Sequence, residues 1–221
     1  MEEIQNRIFE RGQKLYTINA NPGETVYGEN LRTDDNTEYR NWHPSRSKAG
    51  AAIMNQVELG LNPDDEVLYL GAASGTTVSH FSDIVKGGFI YGVEYSDTVV
   101  RDLVNLAEER KNIAPILGDA RKPEDYSDLV LGQVDVVFQD ISQSDQPEIF
   151  LKNAEKYLKE DGLGLLAVKA HSISTSRDED EVFDEVKEKL KDKFKILDQT
   201  KLEPYEKSHL FLKMRFKGEK Q

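Results

Sequence analysis

Glu94, Asp119, Asp140 and Lys169 each stand where a short apolar run gives way to polar sequence. In an open α/β sheet, ligands gather at the carboxyl ends of the strands, so such positions carry the chemistry. Glu94 suits the two hydroxyls of a ribose, and the aromatic Tyr95 follows it. Asp119, within Gly118-Asp-Ala120, suits an adenine amino group. Asp140 opens Asp140-Ile-Ser-Gln143, and Lys169 opens Lys169-Ala-His171. A single acid of this kind is as often a helix cap. Three on successive strands fit an adenosine-containing cofactor, with a nicotinamide enzyme still open on these residues alone.

Lys169 ends the apolar run 165–169, where an ammonium is costly unless paired. Asp140 ends the neighbouring strand, so the two are expected to meet beside the cofactor. One reading is an ordinary buried ion pair. The other is chemistry on a hydroxyl: methyl transfer needs a weakly acidic oxygen nucleophile. A positioned lysine stabilises the developing alkoxide, or takes its proton if burial lowers the lysine pKa.

These residues require strands and turns that hold them. The most informative stretch is 67–85, in which an apolar strand runs into the small residues Gly71 to Thr77. Val78, Phe81, Ile84 and Val85 then recur at helical spacing. Strand, small-residue turn and helix present free N–H groups and a positive dipole end to a ligand. Gly71 and Gly75 are three residues apart, which departs from G-x-G-x-x-G and argues against a standard dinucleotide site. Strands are predicted at 66–70, 89–93, 114–117, 134–139 and 163–169, and helices at 77–85, 98–111, 147–159 and 179–193. Two more strands, 194–201 and 210–216, close the chain and predict a mixed sheet with an antiparallel edge strand. Five parallel strands with such a hairpin are similar to the class I S-adenosylmethionine (SAM) methyltransferases. The expected architecture is therefore α/β, a Rossmann-like seven-stranded mixed sheet.

Before it, 15–18 and 25–27 read as short strands joined by a turn-rich link, and 47–59 as a helix ended by Gly60 and Pro63. The expected division is a small antiparallel β subdomain over 1–46 and the methyltransferase domain over 47–221.

Composition narrows the function classes. The chain of 221 residues has no cysteine, which excludes disulfides, thiolate zinc sites and cysteine nucleophiles. Its four histidines show no ligand spacing, so no metal is expected. With no membrane-length apolar run and no signal-like start, a cytoplasmic protein is expected. The net charge of −12 points away from direct nucleic-acid binding, but Arg40, Arg46 and Lys48 cluster with His43, Tyr39 and Trp42.

Seven ordered blocks carry a resemblance: 39–48, 70–77, 92–96, 117–123, 140–143, 168–173 and 202–209. Over nearly its whole length the chain closely resembles the archaeal fibrillarins, which methylate the ribose 2′-hydroxyl of RNA within box C/D guide-RNA particles. The resemblance implies SAM as cofactor, held by Gly71, Ala72, Thr76, Thr77, Glu94, Tyr95, Asp119, Ala120, Asp140 and Gln143. It implies a catalytic group of Lys48, Asp140, Lys169 and His209. Lys169 would act on the 2′-hydroxyl, Asp140 would orient Lys169 and approach the methyl donor, and Lys48 would steady the nucleotide. The implied substrates are ribosomal and transfer RNA. The implied partners are a Nop-family scaffold protein, a kink-turn-binding ribosomal-protein homologue, box C/D guide RNA and target rRNA. His171 and Ser208 depart from the family pattern, where arginine and aspartate are common. Other readings are a SAM-binding structural subunit with little catalysis and a protein (glutamine) methyltransferase. RNA affinity supplied by the partners would accommodate the acidic balance.

Overall fold

The structure, a computed structural model, describes residues 1–218. The first five strands are β1 (Glu2–Gln5), β2 (Ile8–Arg11), β3 (Lys14–Ile18), β4 (Leu31–Asp34) and β5 (Thr37–Trp42). They form an antiparallel sheet in the order β1-β2-β3-β5-β4. The predicted strand at 25–27 is instead a loop, whose Val26 and Tyr27 amides donate to the Glu29 carboxylate rather than to a ladder. The pairing falls to β4 and β5, joined through Asp35 and Asn36 at φ 45° and 62°. A two-residue hairpin needs left-handed residues there, and Asp and Asn tolerate them.

Helix α1 (Lys48–Met54) is shorter than the predicted 47–59. Beyond it Val57, Leu59 and Leu61 are buried at every second position, a period that suits extended chain and not helix. The remaining elements alternate as expected: β6 (Glu66–Leu70), α2 (Thr76–Ile84), β7 (Phe89–Glu94), α3 (Val100–Glu109), β8 (Ile113–Leu117) and β9 (Val134–Gln139). Then come α4 (Gln146–Tyr157), β10 (Leu158–Lys169), the short α5 (Ala170–Ile173), α6 (Glu179–Leu190), β11 (Phe194–Lys201) and β12 (His209–Phe216).

The main sheet runs β11-β12-β10-β9-β6-β7-β8, with five parallel strands from β10 to β8. This is the class I methyltransferase arrangement. The antiparallel strand is not at the edge, however. β12 pairs antiparallel with both β10 and β11, so β11 is the edge. The reason lies in side-chain pattern: β12 carries buried Leu210, Phe211, Leu212, Met214 and Phe216, while β11 is mostly exposed. A strand apolar on both faces belongs inside the sheet.

Alternation along the parallel strands divides the core in two. Val67, Tyr69, Val136, Phe138, Leu165, Ala167 and Phe211 face α1, α2, α3 and the small sheet's Leu15 and Trp42. Leu68, Leu70, Val137, Leu166, Val168 and Leu212 face α4 and α6. The first of these faces decides which strand-end side chains meet.

Candidate active site

The turn after β6 is shaped by backbone that only small residues tolerate. Gly71 has φ +80°, and a Cβ there would lie 2.4 Å from the Asp140 carbonyl oxygen. Gly75, φ +90°, caps α2 without a side chain, and its missing Cβ leaves room for Leu106. Between them Ala73 also takes a positive φ, and its amide donates to Glu94 Oε2 at 2.9 Å. The other oxygen of Glu94 accepts from the Ser96 amide, also at 2.9 Å. Two backbone donors therefore orient the carboxylate, and each oxygen keeps a further lone pair for a ligand hydroxyl.

Beyond Glu94 opens a groove of about 280 Å³ at the carboxyl ends of β6 to β9. Gly71, Glu94, Tyr95, Asp119, Ala120, Asp140 and Gln143 all line it, so the structure brings seven expected cofactor contacts together. Tyr95 is 74 % exposed, an aromatic face standing free at the rim. Ala73, Val93, Gly118, Arg121, Ile141, Ser142 and Ile149 complete the wall. Arg121 was overlooked as a functional residue. Its guanidinium donates to Asp145 at 3.0 Å and to Gln143 Oε1, and lies 3.9 Å from Asp119. It thus ties the loop after β8 to the loop after β9 across the groove. No periodicity in the sequence signals such a bridge, because its partners lie on separate loops.

Ala72, Thr76 and Thr77 stand off the groove wall. Ala72 is buried in the core beneath the turn. Thr76 lines a different, polar groove of about 350 Å³ with Arg46, Ser74 and Asp102. Thr77 is buried, with its hydroxyl donating to Ser47 Oγ at 3.0 Å and bonded to Tyr69. Since Ser47 caps α1, the threonine joins the start of α2 to the start of α1, where Lys48 stands.

The four residues expected to do chemistry lie on one side of the sheet. Phe138, Ala167 and Phe211 all face the α1 core, so Asp140, Lys169 and His209 project toward that side at their strand ends. Lys169 and His209 are direct partners in the β10–β12 register. Lys48 reaches the group from α1, with its Nζ 3.4 Å from Asp140 Oδ2. The ion pair expected between Asp140 and Lys169 is therefore replaced by one between Asp140 and Lys48. The start of α1, held by Thr77 through Ser47, lies over the end of β9 and brings the nearer ammonium. Lys169 Nζ makes no ion pair or hydrogen bond among the described residues. A half-buried ammonium with no ion-pair partner among the described residues, on the same face as the Lys48–Asp140 pair, is a group available for a ligand.

Burial pushes the Asp140 carboxyl above its usual range, and Lys48 and His209 oppose the shift. His209 is buried and donates from Nδ1 to the Lys207 carbonyl at 2.7 Å. That bond fixes the ring, and in the neutral tautomer leaves Nε2 as an acceptor. Among the described residues no cluster suited to a metal ion occurs, and no helix is long and apolar enough to cross a membrane.

The groove fits an adenosine-containing sulfonium cofactor. Its lining includes the Glu94 carboxylate with free lone pairs, the acid Asp119, the amide Gln143, the apolar Val93 and Ile149, and the Asp140 carboxylate. Comparison with known proteins bears on the same point. The family model described as Fibrillarin matches residues 1–218. A curated relative from Pyrococcus abyssi, named fibrillarin-like rRNA/tRNA 2′-O-methyltransferase, is 48 % identical over 205 residues, 92 % of this chain and 90 % of that protein. Among solved structures, a fibrillarin in complex with Nop5p superposes with a TM-score of 0.90 at 43 % identity, covering 97 % of this chain and all (100 %) of that one. The fibrillarin of Aeropyrum pernix, in complex with natively bound S-adenosyl-L-methionine, gives a TM-score of 0.83 at 40 % identity, covering 91 % and 88 % of the two chains.

Proposed function

The chain belongs to the fibrillarin family, and from that membership we propose that it is a SAM-dependent, RNA-guided ribose 2′-O-methyltransferase acting on ribosomal and transfer RNA. The observation that carries the reading is Lys169, with no ion-pair partner among the described residues, on the same face of the sheet as the Lys48–Asp140 pair, whose carboxylate lines a groove that fits SAM. When bound, SAM supplies an electrophilic methyl group. Glu94 would accept hydrogen bonds from the cofactor ribose, and Asp119 and Gln143 would hold its base. The target 2′-hydroxyl lies against Lys169, whose ammonium stabilises the negative charge that develops on the attacking oxygen. Asp140 holds Lys48, and Lys48 steadies the reacting nucleotide. His209 Nε2, beside Lys169 in the ladder, is placed to accept the hydroxyl proton.

The scaffold in this reading is a Nop-family protein, as in the complexed relative. Box C/D guide RNA, target rRNA and a kink-turn-binding ribosomal-protein homologue complete the particle, which we place in the cytoplasm. Partner-supplied RNA affinity accommodates the net charge of −12.

Methyl transfer to a guided RNA by reconstituted particles tests the proposal. Lys169→Ala is expected to lower the rate by about 10²- to 10⁴-fold, the usual range for a group acting on the transferred proton or its charge. Equal rates for wild type and variant would remove Lys169 from the mechanism. Full particle assembly without transfer by the wild type would favour a structural subunit, and labelling of a polypeptide without guide RNA would favour a protein methyltransferase.

A further inference from the structure

The parallel ladder between β9 and β10 ends at Leu166 and Gln139, short of Lys169. On that side the backbone of Lys169 has no strand to pair with, yet it is not left open. Gln146, the first residue of α4 and fully buried, turns its side-chain amide toward it. Gln146 Oε1 accepts from the Lys169 amide at 3.0 Å, and Nε2 donates to the Lys169 carbonyl at 3.2 Å. A primary amide offers the same donor and acceptor as a peptide unit. The side chain therefore stands in for the missing strand and carries the ladder as far as Lys169.

The same Nε2 donates to the Gln143 carbonyl at 2.7 Å. Gln143 belongs to the loop that walls the cofactor groove. Gln146 is itself anchored, since its own carbonyl accepts from Gln139 Nε2 at 2.8 Å. One buried side chain thus connects the wall of the groove to the backbone that carries Lys169. On the other side, β12 holds this strand end through the Ala170 amide, which donates to the Ser208 carbonyl at 3.0 Å.

We propose that Gln146 is a positioning residue for methyl transfer: its amide sets the backbone of Lys169 in register with the 141–143 loop. The proposal rests on the function assigned above. Its role is to fix the lysine, and it touches neither cofactor nor RNA. The natural comparison is Gln146→Met, which keeps length and helix preference but removes all three side-chain bonds. Gln146→Glu retains an acceptor for the Lys169 amide.

Two measurements on the folded chain and its reconstituted particle test it. Amide hydrogen exchange at Lys169 is expected to accelerate at least about tenfold in Gln146→Met, with Leu165 and Leu166 unchanged and Gln146→Glu retaining most of the protection. The methyl-transfer kcat is expected to fall about tenfold to a hundredfold, with KM for RNA and SAM within about threefold. In a Lys169→Ala background the substitution is expected to cause no further loss, because the group it positions is gone. Should Gln146→Met fail to fold, Gln146→Leu carries the same double-mutant comparison with Lys169→Ala. Unchanged exchange at Lys169, or an equal fold-loss in both backgrounds, overturns the positioning role alone. Wild-type particles that transfer no methyl group overturn it together with the functional reading, and Lys169→Ala particles that match wild type overturn it together with the role of Lys169 alone.

Discussion

At the scale of single residues, the site holds its charges at some expense to stability. The Asp140 carboxyl is shifted upward by burial despite Lys48 at 3.4 Å. A carboxyl whose folded pKa exceeds its unfolded value contributes stability below the unfolded pKa, near 3.8, and loses it as pH rises through the folded value. Asp140→Asn is therefore expected to raise the melting temperature at pH 7, with a gain that shrinks toward pH 3, while methyl transfer falls steeply. A thermal melt series across pH checks the first part, and an unchanged or lowered melting temperature at pH 7 contradicts it. The opposite movement of stability and activity is what a functional charge produces and a structural ion pair does not.

At the scale of elements, the turn between β6 and α2 decides whether the groove exists. Its conformation depends on left-handed backbone at Gly71 and Gly75, and at Gly71 the next strand end leaves no room for a Cβ. Gly71→Ala has both problems at once: a positive φ and a contact of 2.4 Å with the Asp140 carbonyl. The expected cost is about 1–3 kcal/mol of stability from the strained backbone alone. Because the displaced atom belongs to Asp140, a loss of SAM affinity should accompany it. Urea denaturation and SAM titration on the same sample check the pair, and retention of wild-type affinity would show that the turn tolerates a side chain. The short α1 matters for a similar reason. Ser47 caps it, Thr77 bonds that cap, and Lys48 is thereby held over Asp140.

At the scale of the whole molecule, the small sheet is fastened to the catalytic sheet by buried charge as well as by apolar contact. Asp83 on α2 is fully buried, 3.1 Å from Arg40 of β5 and 2.6 Å from Arg110. It also accepts from Thr17 on β3 at 2.7 Å and from the Ala20 amide at 3.0 Å. Arg40 reaches Glu29 at 2.6 Å and Ser79 at 2.8 Å. His80, stacked on Trp42 with ring centroids 4.8 Å apart, lies in the same network and is held well below its usual pKa, chiefly by burial. Removing Asp83 leaves Arg110 buried without its carboxylate and Arg40 with Glu29 alone. Asp83→Ala is expected to destabilise the fold by about 3–5 kcal/mol, measured by chemical denaturation. A loss under about 1 kcal/mol would mean that water reaches the freed arginines. This network fixes the orientation of α2, whose first turn opens the cofactor site, so the small sheet takes part in shaping a site it does not line.

The sequence by itself determined the βα alternation, the strand-end acids and the small-residue turn, because those depend on local periodicity and on backbone freedom at particular positions. Glu94, Asp119, Asp140 and Lys169 were legible for that reason: the end of a buried strand is marked by the change from apolar to polar residues. The strands β1, β2, β4 and β5 were not, since strands of four to six residues in a small sheet leave little periodic signal. Tertiary structure alone decided that Asp140 pairs with Lys48, that Arg121 spans the groove and that Gln146 completes the ladder at Lys169. Each of these depends on which groups end up within about 3 Å once separate loops have packed, a hydrogen-bond distance that sequence spacing does not encode. The acids and the lysine were written along the chain, and their partners were chosen by the fold.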